Sequence, residues 1–324
     1  MQTAIFCRGW VIFVQNMIEA ISLTKHYHDS VAVEDASFVV KKGRVTGFIG
    51  PNGSGKSTTM KMILGLVRPT SGCALVNGSP YKDLPVPIKT VGSLLEPTFL
   101  HPGMTIFSHL RAIAVKYRIP ETKINGLLAL VGLADKGKLR CSKASLGMKQ
   151  RLGIAQALLG DPAVLILDEP MNGLDPEGII WFRNLLKDMA GEGKCIFVSS
   201  HLMNEMSLLI DDVVIIKNGA VVANSSLSDL AKEHSNPCLE VAAADNSALV
   251  GLLKDHYRET FNDNVSFLGN DLLQVAGKDA RWLAELALKN NITVVHLAVK
   301  ENTLEEIYAG LMNDNFLCDP LSKM

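Results

Sequence analysis

From Ile18 to about residue 220, short apolar runs alternate with stretches of helical period. Apolar runs of four to six residues between turn residues read as buried strands. Apolar positions spaced by three and four read as helix faces. The pattern predicts strands at Ile18–Leu23, Val45–Ile49, Ala163–Leu167, Cys195–Ser199 and Val213–Lys217. Asn218-Gly219 then predicts a tight hairpin turn into Ala220–Ala223, because both central residues of that turn need positive φ. Helical periodicity runs from Lys56 to Leu66 and from Ser145 to about Leu159. A third helix is bracketed by Asp175 as N-cap, Pro176 at its first position and Gly191 just past its end. Ile179, Ile180, Phe182, Leu185, Leu186 and Met189 form its predicted apolar face. Strands alternating with helices predict an α/β core sheet, with a helical insert over about residues 95–160.

The pattern changes near residue 224, through Asn-Ser-Ser and then the turn Ser235-Asn236-Pro237. Beyond it the predicted order is β-α-β-β-α-β-α, with strands at Cys238–Ala242, Val265–Leu268, Leu272–Val275 and Ile292–Val299. Helices are expected near Ala248–Tyr257, Asp279–Lys289 and Thr303–Met312. This is a small α+β domain of the split βαβ kind, and it carries no catalytic constellation. The expected division is therefore 17–224 and 225–324. Residues 1–16 are read as a non-native or disordered extension, with Met17 as the native start. The competing reading is a short membrane-surface segment around Trp10–Val14.

Gly50-Pro51-Asn52-Gly53-Ser54-Gly55-Lys56-Ser57 completes a G-x-x-x-x-G-K-[ST] loop between a predicted strand and a predicted helix. That context is what a phosphate-binding loop requires. Glycines let backbone N–H groups turn inward around phosphate oxygens, and the following helix, with Thr58 in its first turn, adds its positive end. Lys56 is placed for the β- and γ-phosphates, and the Ser57 hydroxyl for Mg²⁺. A second apolar strand ends in Asp168-Glu169, at the sheet edge where open α/β sheets bind ligands. Asp168 suits Mg²⁺, directly or through water, and Glu169 is placed to polarise an attacking water. His201 follows the next strand at the same edge. Ser145 caps a helix whose N-terminus could hold a phosphate.

Composition narrows the picture. The 324 residues carry 32 basic and 33 acidic side chains, for a net charge of −1, which lacks the basic excess of a nucleic-acid footprint. No run of 18 or more apolar residues encodes a membrane span. Six scattered cysteines form no CxxC pair, as in reduced thiols rather than a disulfide or metal framework.

Loop, capped helix, Asp168-Glu169, Gly173-Leu174-Asp175-Pro176 and His201, in that order, resemble the ATPase subunit of ABC transporters over about residues 18–220. The resemblance implies that Ser145 to Met148, including Gly147, form the signature motif. It implies that Asp175 lies in the D-loop, that His201 is the switch histidine and that Tyr27 stacks on adenine. It also implies a head-to-tail homodimer holding two ATP molecules with Mg²⁺, driving a separate transmembrane permease from the cytoplasmic face of the membrane. Two departures stand out. Ala144-Ser145-Leu146-Gly147-Met148 replaces the usual Leu-Ser-Gly-Gly-Gln, and Glu96 stands where the family has glutamine, adding a carboxylate near the expected metal. Together they resemble the bacitracin and lantibiotic self-protection subfamily, which implies export of, or protection from, an antimicrobial peptide. Other transport cargo such as a drug or lipid, a soluble non-transport ABC ATPase and an inactive nucleotide-binding scaffold are the alternatives.

Overall fold

The computed structural model describes residues 5–7, 10–12, 16–28, 30–95, 100–233, 238–268, 272–300 and 303–312. The chain divides into two compact units, Met1–Leu227 and Ser228–Met324.

Two sheets make the core of the first unit. One has six strands in the order Ala220–Ser226, Asp212–Lys217, Val45–Ile49, Cys195–Ser199, Val164–Leu167 and Val91–Leu94. All neighbours are parallel except the first pair, an antiparallel hairpin. The inner strands Val45–Ile49, Cys195–Ser199 and Val164–Leu167 are mostly apolar, with Thr46 and Ser199 the polar exceptions, and are buried along their whole length, as expected of parallel strands covered on both faces. The second sheet is antiparallel, with Asn16–Tyr27 between Ser30–Lys41 and Ser71–Val76. The two sheets share one core. Phe38 from the antiparallel sheet meets Phe48 and Phe197 from the parallel one, with ring centroids 5.0–5.5 Å apart and all three rings buried. Burying each such ring contributes about 1.5–3 kcal/mol. Met60 and Ile63 of the Lys56–Ile63 helix join the same cluster, which fixes the helix behind the phosphate loop.

The first strand begins at Asn16, which pairs with Lys41, and Met17 is already buried. Ile5–Cys7 and Trp10–Ile12 pair with each other as a separate two-stranded sheet. The rest of the 1–15 stretch lies outside the described residues.

Between Val91–Leu94 and Val164–Leu167 come the helices Ile106–Lys116, Glu121–Leu130 and Leu146–Leu158. Thr105 caps the first and Ser145 the third, each accepting a backbone N–H three residues on. The next helix, Pro176–Gly191, is capped by Asp175, whose carboxylate accepts from the Gly178 N–H at 3.1 Å. Its end corrects the sequence reading. Gly191 belongs to the last helical turn, and Gly193, at φ 90°, is the terminating glycine. The Gly193 N–H bonds the Ala190 carbonyl and the Lys194 N–H bonds the Met189 carbonyl, a Schellman closure. Ile180 is also corrected. It is exposed, and the buried face is Gly178, Phe182, Leu186, Met189 and Ala190.

The second unit has a four-stranded antiparallel sheet ordered Val265–Leu268, Leu272–Ala276, Cys238–Ala243, Val294–Lys300. The helices Asn246–Tyr257 and Ala280–Lys289 provide the crossovers. In chain order this is 2-3-1-4, the split βαβ arrangement. A short helix, Phe261–Asn264, not expected from the pattern, precedes the second strand. Leu239, Val241, Leu273 and Val275 pack against Leu249, Leu253 and Leu283 as this unit's own core.

Candidate nucleotide site

Parallel register places the C-terminal ends of Val45–Ile49, Val164–Leu167 and Cys195–Ser199 at one sheet edge. The loops leaving those ends hold the site. A pocket of about 220 Å³ is lined by Ala32, Asn52, Gly53, Gly55, Lys56, Ser57, Thr58, Asp168 and Glu169. The helix behind it has Gly55 at its N-cap, at φ 104° and with no side-chain cap. The first-turn N–H groups therefore remain available to an anion.

Two glycines are required by close backbone approach. A Cβ on Gly50 would lie 2.4 Å from the Ile216 carbonyl oxygen, and one on Gly55 would lie 2.4 Å from that of Ala32. The Asn218-Gly219 turn, at φ 49° and 86°, supports the loop from behind. Gly219 donates its N–H to Ser54 O at 3.1 Å and accepts from the Glu34 N–H at 2.9 Å. Lys56 folds over the loop, its Nζ donating to Gly50 O at 2.7 Å and Pro51 O at 3.1 Å. Burial pushes the Lys56 ammonium below its ordinary pKa, and Glu169 and Asp168 oppose that shift. A buried cation held by carbonyl oxygens is poised to exchange them for phosphate.

Asp168 is buried and accepts from the Ser199 hydroxyl at 2.5 Å. Glu169 has a left-handed backbone, φ 49°. Its N–H donates to Ser199 Oγ at 3.0 Å, its carbonyl accepts from Gln150 Nε2 at 3.3 Å, and its carboxylate lies 2.8 Å from His201 Nδ1. Hydroxyl and carboxylate oxygens from Ser57 and Asp168 line the same pocket. No cluster of three or more His, Cys, Asp or Glu suited to a metal exists among the described residues. A hard ion that keeps several waters and takes one or two protein oxygens beside phosphate fits this donor set.

The remaining expected residues fall elsewhere. Ser145, Gly147 and Asp175 do not line the pocket. A Cβ on Gly147 would be 2.7 Å from Gly173 O, and Leu146, more than half exposed, lies against Gly173 itself. Arg151 reaches Val131 O at 3.1 Å and Asp175 Oδ1 at 3.5 Å, with its guanidinium over the Trp181 ring. Tyr27 ends its strand with an exposed ring beneath Lys25 and does not line the pocket. Glu96 lies outside the described residues. Sequence reasoning missed Ala32, Gln150, Ser199 and Gly219 as parts of the site. Ser199 and Gln150 sit inside the predicted Cys195–Ser199 strand and the helix from Ser145, but their partners are 19 to 31 positions away.

Residues 33–172 match the ABC transporter family. The bacitracin transport ATP-binding protein BcrA of Bacillus licheniformis is 36% identical over 306 residues, 92% of this chain and 98% of that protein. The chain belongs to the ABC transporter ATP-binding family. The lantibiotic transport ATP-binding protein SrtF of Streptococcus pyogenes is 37% identical over 208 residues, 64% of this chain and 89% of that protein. A solved ATP-binding subunit of an ABC transporter, 32% identical, matches with a TM-score of 0.62 over 67% of this chain and 92% of its own. As an ABC ATPase the chain binds and hydrolyses ATP. No helix among the described residues is long and apolar enough to cross a membrane.

Proposed function

We propose that this ABC ATPase powers a separate membrane permease that exports, or protects the cell from, an antimicrobial peptide of the bacitracin or lantibiotic kind. The observation that carries the proposal is the likeness to BcrA, which continues through both units of the chain at 36% identity. In this reading the chain sits on the cytoplasmic face of the membrane, held there by the permease. Two copies associate head to tail, so that Ser145 and Gly147 of one complete the nucleotide site of the other. Asp175 lies at the same seam, and Tyr27 offers its exposed ring to adenine.

Each step falls to groups already described. Loop backbone N–H groups among residues 52–58 and the Lys56 ammonium neutralise phosphate charge, since phosphoryl transfer is chiefly positioning and electrostatics. Ser57 and Asp168, with Glu96, would hold Mg²⁺, which offsets charge on the β- and γ-phosphate oxygens when bound. The Glu169 carboxylate orients the attacking water. His201, 2.8 Å from that carboxylate, fixes its direction and holds the γ-phosphate.

The test is survival. The chain and its cognate permease, expressed in a sensitive host, should raise the inhibitory concentration of bacitracin or a lantibiotic, and Glu169→Gln should abolish the gain. That variant should still bind ATP while turnover drops by about 10²-fold or more, and ATP should trap it as a dimer on size exclusion. Unchanged sensitivity to both peptides, with ATPase activity intact in membranes, would refute the cargo assignment.

A further inference from the structure

Glu169 adopts a left-handed backbone, φ 49°, that is uncommon for a non-glycine residue. Two buried side chains from different elements grip the two peptide units that flank the Glu169 Cα. Ser199, at the end of the neighbouring strand, accepts the Glu169 N–H at 3.0 Å, and Gln150, in the helix capped by Ser145, donates Nε2 to the Glu169 carbonyl at 3.3 Å. The Ser199 hydroxyl has one proton, and it goes to Asp168 Oδ1 at 2.5 Å. Its lone pairs are thereby left to the Glu169 N–H. One hydroxyl thus sets the separation of the two acids, and one amide sets the tilt of the second. Both side chains are almost fully buried, and neither lines the pocket. Gln150 Oε1 is buried without a hydrogen-bond partner among the described residues. A leucine would fill this space without stranding an oxygen, so a filling role alone does not account for the amide.

We propose that Ser199 and Gln150 are positioning residues for hydrolysis, clamping the backbone on both sides of Glu169 in the left-handed conformation that aims its carboxylate at the attacking water. This rests on the reading of Glu169 as the group that orients the water. The clamp acts on kcat rather than on nucleotide affinity, because neither residue reaches the pocket.

The experiment is steady-state and single-turnover ATP hydrolysis by Ser199→Ala, Ser199→Thr, Gln150→Leu, Glu169→Gln and the Ser199→Ala/Glu169→Gln double variant. Binding of a fluorescent ATP analogue and melting temperature are measured alongside. Ser199→Ala and Gln150→Leu should each lower kcat about tenfold, the loss expected for one hydrogen bond, with KM within about twofold. Ser199→Thr, which keeps the hydroxyl, should recover most of the rate. In the Glu169→Gln background, adding Ser199→Ala should change the residual rate less than about twofold, since the clamp works through Glu169. If Ser199→Ala fails to fold, Gln150→Leu carries the test alone. Wild-type kcat in Ser199→Ala and Gln150→Leu, with Glu169→Gln inactive, overturns the clamp and leaves Glu169 in place. A tenfold further loss in the double variant also overturns it, by showing a general structural effect. Wild-type turnover in Glu169→Gln removes Glu169 from its role, and the clamp with it.

Discussion

Replacing Gly50 with alanine tests whether the position of the loop backbone sets nucleotide affinity. The added Cβ would meet Ile216 O at 2.4 Å, Ser54 Oγ at 2.6 Å and Ile216 Cγ2 at 2.8 Å, where ordinary contact begins near 3.4 Å. The Ser54 hydroxyl can rotate aside. The Ile216 carbonyl cannot, because its strand is paired on both sides, with Val45–Ile49 and with Ala220–Ser226. The loop must therefore retreat by about 1 Å, carrying with it the Gly50 carbonyl that holds Lys56 Nζ. Overpacking of this kind costs the fold about 1–3 kcal/mol, a fall of a few degrees in melting temperature. The effect on ATP is larger. Hydrogen bonds to charged groups contribute about 1.5–3 kcal/mol each, so misplacing two loop amides weakens binding by roughly 10²-fold or more. Gly53→Ala is the control. It meets no atom within 4 Å but has φ 81°, so it incurs only the left-handed penalty of about 1–2 kcal/mol and should bind at least tenfold tighter than Gly50→Ala. Calorimetric titration with ATP, with melting curves of the free proteins, makes the comparison. Wild-type affinity in Gly50→Ala would refute the reasoning, since it would mean that the loop tolerates a 1 Å displacement without losing its phosphate contacts.

Three further outcomes are expected. Burial lowers the Lys56 pKa in the folded chain, so the unfolded chain binds this proton more tightly. Stability should then rise with pH between the lowered folded value and the ordinary value near 10.5, and Lys56→Met should remove that rise from melting curves taken through the alkaline range up to 10.5. An equal slope in the variant would discount the burial. Deleting residues 1–15 should leave ATPase activity and melting temperature unchanged, because Ile5–Cys7 and Trp10–Ile12 pair with each other and Met17 is already in the core. A drop of more than about 5 °C would contradict this. Glu96→Ala should reduce peptide protection in a survival assay with little change in ATP affinity, while Glu96→Gln, which keeps one oxygen acceptor, should protect nearly as well as wild type. Full protection by Glu96→Ala would make the residue a bystander.

Much of the molecule is determined over short stretches of sequence, and those parts are legible without coordinates. The glycines of residues 50–55 between an apolar strand and a helix, the caps Ser145 and Asp175, and the Asn218-Gly219 turn each act on backbone within a few positions. Their physics is local: allowed φ, an orphan N–H, a missing Cβ. Where two local signals competed, the pattern misled. Gly191 and Gly193 both suit a helix end, and only the closure onto Met189 and Ala190 selects the second. Ile180 matched the apolar face by spacing but faces solvent, because burial depends on what packs against the helix. What tertiary structure alone decided is the company each site residue keeps. The parallel order of Val45–Ile49, Cys195–Ser199 and Val164–Leu167 brings Ser199 to Asp168 and Glu169 from some 30 positions away. Packing of the Leu146–Leu158 helix brings Gln150 to the Glu169 carbonyl. A hydroxyl and an amide look alike in sequence whether they face solvent or hold a catalytic peptide; only the strand crossovers, which fix their burial and their partners, separate the two cases.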